Sequence, residues 1–239
     1  MSVSVTPLEL EMFHSLPAHT RRCVFWEMVQ GDGDASLDPS AGVSRETLES
    51  EFDKEAWISG LLLEWGTCGQ VAVESTTENV VGTALYAPPN RVPRARRFPT
   101  GPVGSDAVLL TTVRVEPGFE DSLHTLVDAV VGDVVRRGVR AIEAFGFSGS
   151  REPLEQDLVG LMLGSGMASD TCQVCLMPTS FLLDAGFEIV APDLYLPRLR
   201  LELDEGLGWK SAVERALEKL VLEAELDLAA PAPLPSPVC

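Results

Sequence analysis

Residues 106–142, DAVLLTTVRVEPGFEDSLHTLVDAVVGDVVRRGVRAI, constrain the fold more than any other stretch. Residues 108–115 are apolar and β-branched, the composition of a buried strand. Pro117 and Gly118 break that strand, and Asp121 or Ser122 can cap a helix. Leu123, Leu126, Val127, Val130, Val131, Val134 and Val135 then recur at helical spacing and form one apolar face. Arg136 and Arg137 suit the negative end of the helix dipole, and Gly138 supplies a left-handed stop. Residues 139–147 return to a strand pattern. The unit is strand, turn, helix, strand, with backbone N–H groups gathered at a helix N-terminus, where phosphate can bind.

The remaining patterns wrap around this unit. Residues 3–8 read as a strand, 9–16 as a short helix and 18–28 as a helix or irregular segment. Arg45–Trp65 is a long helix with Phe52, Ala56, Ser59, Leu62 and Leu63 near one stripe and Gly66 as its stop. Residues 69–75 and 80–86 form a hairpin about the turn TTEN. A short helix is expected within 148–170, a strand at 173–177, a helix at 179–185 stopped by Gly186, and strands from 187 and at 199–203. Residues 209–225 are amphipathic. The order predicts an α/β chain, more narrowly an α+β mixed sheet in a single domain over 1–228. Loop insertions fall near 30–44, 88–104 and 148–170, and 229–239 form a mobile C-terminal tail.

Composition narrows the function classes. Lys and Arg number 18 against 36 Asp and Glu, a net charge of −18. Phosphate contacts need cations, so a nucleic-acid partner is disfavoured, whereas a cationic amine would be drawn in. No apolar run is long enough to span a bilayer, and the N-terminus has no export pattern. Five cysteines in a long chain suit a reducing cytoplasm. Residues 30–44 suggest a calcium loop through Asp32, Asp34, Ser36 and Asp38. Leu37 stands where such a loop needs Gly and Val43 where it needs Glu, so the stretch reads as a plain loop.

Several phrases together resemble the GCN5-related N-acetyltransferases (GNAT), in an actinobacterial branch. They are RRCVFWE from Arg21, FDKEAWISGLLLEWGTCGQVA from Phe52, ALYAPP from Ala84, DAVLLTTVRVEP, RRGVRAIEAFG from Arg136, CLMPTSFLLDAGFEIV from Cys175 and YLPRLRLEL from Tyr195. The resemblance covers most of residues 3–222. It implies a GNAT-like acyl-CoA N-acyltransferase fold with six or seven strands. The fourth and fifth would be parallel and splayed at one end, and acetyl-CoA would be the cofactor. Pantetheine would pair with the main chain of Thr112, Val113, Arg114 and Val115. The pyrophosphate would sit on Gly118, Asp121, Ser122, Leu123 and His124.

That turn departs from the family pattern. The family has a basic residue or Gln, then Gly, then Gly or Ala; here the turn is VEPGFEDSLHTLV, about two residues shorter. Glu116, Glu120 and Asp121 place carboxylates where an anion would bind, and each costs on the order of 1 kcal/mol at 4 Å in water. Asp121 is explained equally well as a helix cap, and His124 as a surface residue. For acid–base work Glu27 and Glu64 could take the ammonium proton of an amine acceptor, a small molecule or a protein, and Tyr195 could protonate the leaving thiolate. Arg91, Arg94, Arg96 and Arg97 form either a solvated loop or an anion patch. Cys172 and Cys175 make a C-x-x-C read as two strand positions, because no second close pair completes a metal site. No metal is expected, and a homodimer is left open. The two functional readings are an acetyl-CoA-dependent N-acetyltransferase and a GNAT-fold binding or regulatory module without catalysis.

Overall fold

The computed structural model describes residues 2–28, 45–149 and 175–203, with backbone only for 45–50. The expectations for 30–44, for a helix within 150–170, for Cys172, for 209–225 and for the tail lie outside them. The chain divides into one compact unit, Met1–Glu202, and a second, Leu203–Cys239.

The described strands are β1 (Val3–Pro7), β2 (Gly69–Glu74), β3 (Val80–Ala87), β4 (Ala107–Val115), β5 (Ala141–Phe147), β6 (Met177–Pro178), β7 (Glu188–Ala191) and β8 (Arg198–Glu202). The helices are α1 (Ala18–Arg22), α2 (Arg45–Trp65), α3 (Ser122–Arg136) and α4 (Thr179–Asp184). The sheet runs β1-β2-β3-β4-β5-β8-β7, with β6 pairing β5 off that path. Neighbours are antiparallel except β4 with β5 and β5 with β6, which are parallel. This is one mixed α/β sheet, as expected, with one strand more than expected because of the two-residue β6.

Alternation gives the sheet two buried faces. Leu85, Ala87, Leu109 and Phe145 belong to a core shared with Phe13, Trp26, Ile58, Leu61 and Phe98. On the other side α3 lies across β1 to β4 and buries Leu126, Val127, Val130 and Val134. Gly82 permits this approach, since a Cβ there would lie 2.9 Å from Val115 and 3.1 Å from Leu126. The helix ends as its residues dictate. Gly138 takes φ +71, and the Val139 and Gly138 N–H groups donate to Val134 and Val135, the paired bonds of a Schellman ending.

Asp133 is the polar exception on α3. Its Oδ2 accepts from the Tyr86 hydroxyl at 2.8 Å and from Arg137 Nε at 2.9 Å. Arg137 also donates to the carbonyls of Trp65 and Gly66, so one guanidinium closes the C-terminus of α2 and anchors α3. Burial pushes the Asp133 carboxyl up, but the bonds from Tyr86 and Arg137 outweigh it and hold the group below the usual carboxylate range. A depressed folded-state value contributes stability present above the ordinary Asp range and lost as pH falls through the lowered value. Asp133→Asn is therefore expected to flatten the acid limb of a pH–stability curve measured by urea unfolding. An unchanged limb would show that Asp133 contributes no pH-dependent stability.

Three local expectations are corrected. In α2 the bounds agree, but Lys54, Ile58 and Leu61 face inward, while Phe52 is 71% and Leu63 86% exposed. The helix carries apolar residues on both sides, so periodicity does not choose between them. Of the strand expected at 173–177, 173 and 174 lie outside the described residues, Cys175 and Leu176 form a turn, and β6 starts at Met177. The four arginines are not one surface patch. Arg94 is buried against the Phe25 ring and donates to the Phe25 carbonyl, Arg91 pairs with Glu64, and only Arg96 and Arg97 are exposed.

Candidate functional site

The site follows from where two strands stop pairing. β4 and β5 share only Ala107↔Ala141, Val108↔Ile142 and Leu109↔Glu143. Beyond that β4 continues to Val115 and β5 to Phe147 without pairing each other. The strands separate toward their C-terminal ends, where β4 feeds the N-terminus of α3. On β5, the Gly146 and Ser148 N–H groups donate toward Pro197 and Tyr195 on the β8 side. The two-residue β6 pairs Gly146 and Phe147 on the side that β4 has left. The wedge is thus bounded by β4 on one side and by β6 with α4 on the other.

A bulge shapes the β4 wall. Leu85 pairs Thr112 but Tyr86 pairs Leu110, so Thr111 is an extra residue. Its hydroxyl donates to the Leu85 carbonyl at 2.9 Å. The insertion reverses the alternation. Thr112 and Arg114 now share the face of Leu85 and Thr83, where Thr83 meets Thr20 of α1. Val113 and Val115 turn under α3. Thr112 Oγ1 and Arg114 Nη1 are buried and have no hydrogen-bond partner among the described residues. Both can donate to a ligand oxygen. This is the observation that fits a bound cofactor, together with the unpaired β4 main chain, which can bond an amide-bearing chain such as pantetheine.

The turn fits it less well. The Gly118 N–H donates to both oxygens of Glu120, at 3.0 and 3.1 Å. The Phe119, Ser122 and Leu123 N–H groups donate to the carbonyls of Glu116, Phe119 and Glu120. Pro117 has no N–H. Four of the turn's N–H groups, those of Gly118, Phe119, Ser122 and Leu123, are thus engaged within the turn, which supplies its own anion. Bonding to the Gly118 N–H, then to its own N–H, holds the Glu120 carboxyl below its usual range. Asp121 stands at the N-cap but its side chain makes no capping bond, because its backbone is already helical, with φ −61 and ψ −19. The expectation of a side-chain cap is corrected on that geometry. Ser122 is buried and Leu123 half-buried. His124 is exposed, 5.5 Å from the Phe181 ring of α4, so the two helices meet at the mouth of the wedge.

The acid–base candidates fall in three places. Glu27 is enclosed: its Oε1 accepts from Lys54 Nζ at 2.5 Å, and each side chain is 3% exposed. Burial pushes the Glu27 carboxyl up in spite of the lysine. Glu64 is 64% exposed and 3.5 Å from Arg91. Tyr195 is half-buried beside the end of β5, its carbonyl accepting from the Ser148 N–H at 3.0 Å. No hydrogen bond or ion pair joins any two of the three among the described residues. The Thr111 bulge and the Glu120–Gly118 contact were not foreseen. The Glu120 contact had a signal, an acidic residue two positions after a turn glycine, whereas nothing in an apolar strand marks a bulge.

No protein-family model and no curated protein matches the chain. Among solved structures, it is similar to the PaiA N-acetyltransferase of Thermoplasma acidophilum in complex with coenzyme A. That match has 13% identity and a TM-score of 0.46, and covers 84% of this chain and 99% of that one. It is also similar to the acetyltransferase yncA of Salmonella typhimurium with acetyl-CoA, at 14% identity, a TM-score of 0.47 and coverage of 86% and 96%. The ribosomal-protein-S5-alanine acetyltransferase of Vibrio fischeri matches at 10% identity and a TM-score of 0.47, covering 85% and 94%. At these values no residue of theirs is carried over, and the fold stands on the strand order and strand separation above. No helix among the described residues is long and apolar enough to cross a membrane.

Proposed function

We propose that this chain is an acetyl-CoA-dependent N-acetyltransferase acting on an amine, with a weakened pyrophosphate turn. One observation carries the reading: β4 and β5 part after three pairs, leaving the main chain of Thr112, Val113, Arg114 and Val115 unpaired toward the wedge. That main chain would hold the pantetheine, and the Thr112 hydroxyl and Arg114 guanidinium would donate to its oxygens. Gly118, Asp121, Ser122, Leu123 and His124 would flank the phosphates. The cofactor supplies an activated acyl thioester. Glu27 is engaged with Lys54, so Glu64 would be the carboxylate that takes the acceptor's proton. Tyr195, beside the β5 end, would return one to the leaving sulfur. A net charge of −18 favours a cationic acceptor, and the five cysteines favour a reducing, cytoplasmic setting.

The Glu120–Gly118 contact favours a second reading, a binding module without catalysis. Acetyl-CoA titration separates them. Saturation at a hundred times the dissociation constant stabilises a fold by about 2.7 kcal/mol, a readable rise in melting temperature. Wild type is expected to show little rise at sub-millimolar acetyl-CoA. Glu120→Gln with Asp121→Asn removes both charges at constant size and is expected to tighten binding, with the salt dependence of a phosphate contact. If neither protein binds, the transferase reading fails and the module stands.

A further inference from the structure

The fold brings together a histidine and two cysteines that sequence spacing keeps far apart. His19 and Cys23 lie four residues apart, and the Cys23 N–H donates to the His19 carbonyl at the end of α1, which fixes them on one side of the helix. Cys175 arrives from the turn before β6. Its Sγ lies 3.2 Å from His19 Nε2 and 3.1 Å from Cys23 Sγ. The three donor atoms lie within 4.8 Å of one another. His19 and Cys23 are half-buried and Cys175 is 3% exposed.

We propose that His19, Cys23 and Cys175 bind a zinc ion that fastens α1 to the turn entering β6. Two thiolates and an imidazole are the ligand chemistry zinc selects. A tetrahedral ion with Zn–S near 2.3 Å and Zn–N near 2.0 Å holds such atoms roughly 3.5–3.8 Å apart, so the 3.2 Å N–S contact opens by about 0.3 Å and the 3.1 Å S–S contact by about 0.7 Å on binding. Two S–Zn bonds and one N–Zn bond form, a water takes the fourth position, and the two thiol protons leave to solvent. The ion's two positive charges then match two thiolates. The neighbouring Lys54 ammonium is matched by the Glu27 carboxylate, so that pair adds no net charge. Cys68 lies outside the cluster, and burial pushes its thiol up to about 12, against the pull of Lys54. The ion would secure the segment leading into β6, the strand that occupies the place β4 vacates.

The test uses the reduced, full-length protein, stripped by a chelator and titrated with cobalt(II), then zinc(II), without acetyl-CoA. Its outcome is therefore independent of the transferase reading. Wild type is expected to develop a thiolate-to-cobalt charge-transfer band and the visible bands of a tetrahedral site, saturating at one equivalent and bleached by zinc. His19→Ala and Cys23→Ser are expected to weaken zinc binding by more than about a hundredfold, beyond what changing an outer-sphere partner does. The exposed His14→Ala is expected to bind as wild type does. The wild-type titration needs no variant to fold. A wild type that gives no cobalt spectrum overturns the proposal, as does a Cys23→Ser variant of unchanged affinity. So does a chain that forms a Cys23–Cys175 disulfide when oxidised and takes up no metal when reduced.

Discussion

Lys54→Met is expected to destabilise the fold by about 3–5 kcal/mol, because it leaves the Glu27 carboxylate enclosed with no cation. The pair is 2.5 Å apart with both side chains 3% exposed, and Glu27 Oε2 has no hydrogen-bond partner among the described residues. Nothing else described compensates the charge once the ammonium is gone. The attraction of the pair itself is a poor guide to its net worth, since both ions lost their hydration on burial. The informative protein is therefore the double variant Lys54→Met, Glu27→Leu, which removes both charges and keeps the volume. It is expected to recover most of the loss in urea unfolding. A single variant that unfolds at the wild-type midpoint would show that Glu27 reaches water. A double variant no better than the single would assign the loss to packing.

The second large effect concerns the opposite face. Val130 and Leu126 are fully buried where α3 crosses the strands. Val130→Asp would place an unpaired carboxylate there at an effective cost of several kcal/mol. Domains of this kind have about 5–15 kcal/mol in total, so little soluble folded protein is expected. Two controls separate charge from volume. Val130→Ala removes two methyl groups and should cost about 2 kcal/mol. Thr125→Asp, on the exposed side of the helix, should stay within about 0.5 kcal/mol of wild type. A Val130→Asp protein that melts where wild type does would mean α3 presents another face.

These two sites show what was legible in the chain. In α3 the apolar residues form a single stripe, so bounds and buried face both followed from periodicity. In α2 the bounds followed but the face did not. Trp57, Ile58 and Leu61 compete with Phe52, Ala56 and Leu63, and the deciding residue is a buried lysine, which any sequence reading places in water. The contacts of Cys175 leave no local mark, because His19 and Cys23 stand more than 150 positions away. The separation of β4 from β5 was implied by the family resemblance and not by the residues, since Thr111, Thr112 and Arg114 after the last pair suit a paired strand as well as an unpaired one. The crowded turn was half legible. Its acidity was evident, but that Glu120 folds back on Gly118 depends on backbone geometry.

The extra residue in β4 has a consequence for how this protein tolerates change. Ahead of Thr111 the strand is held by β5 at residues 107–109 and by β3 at Leu109 and Leu110, and its side chains are buried. After it, one neighbour is gone and the inward and outward positions exchange roles. The strand is therefore two segments under different rules, a foundation at residues 107–110 and a wall at 112–115. Substitutions that suit one segment are wrong for the other, whereas deleting Thr111 itself would leave both segments facing as they do, because Leu110 and Thr112 already oppose the adjacent β3 residues Tyr86 and Leu85. A mutational scan should show tolerance changing abruptly halfway along one continuous strand.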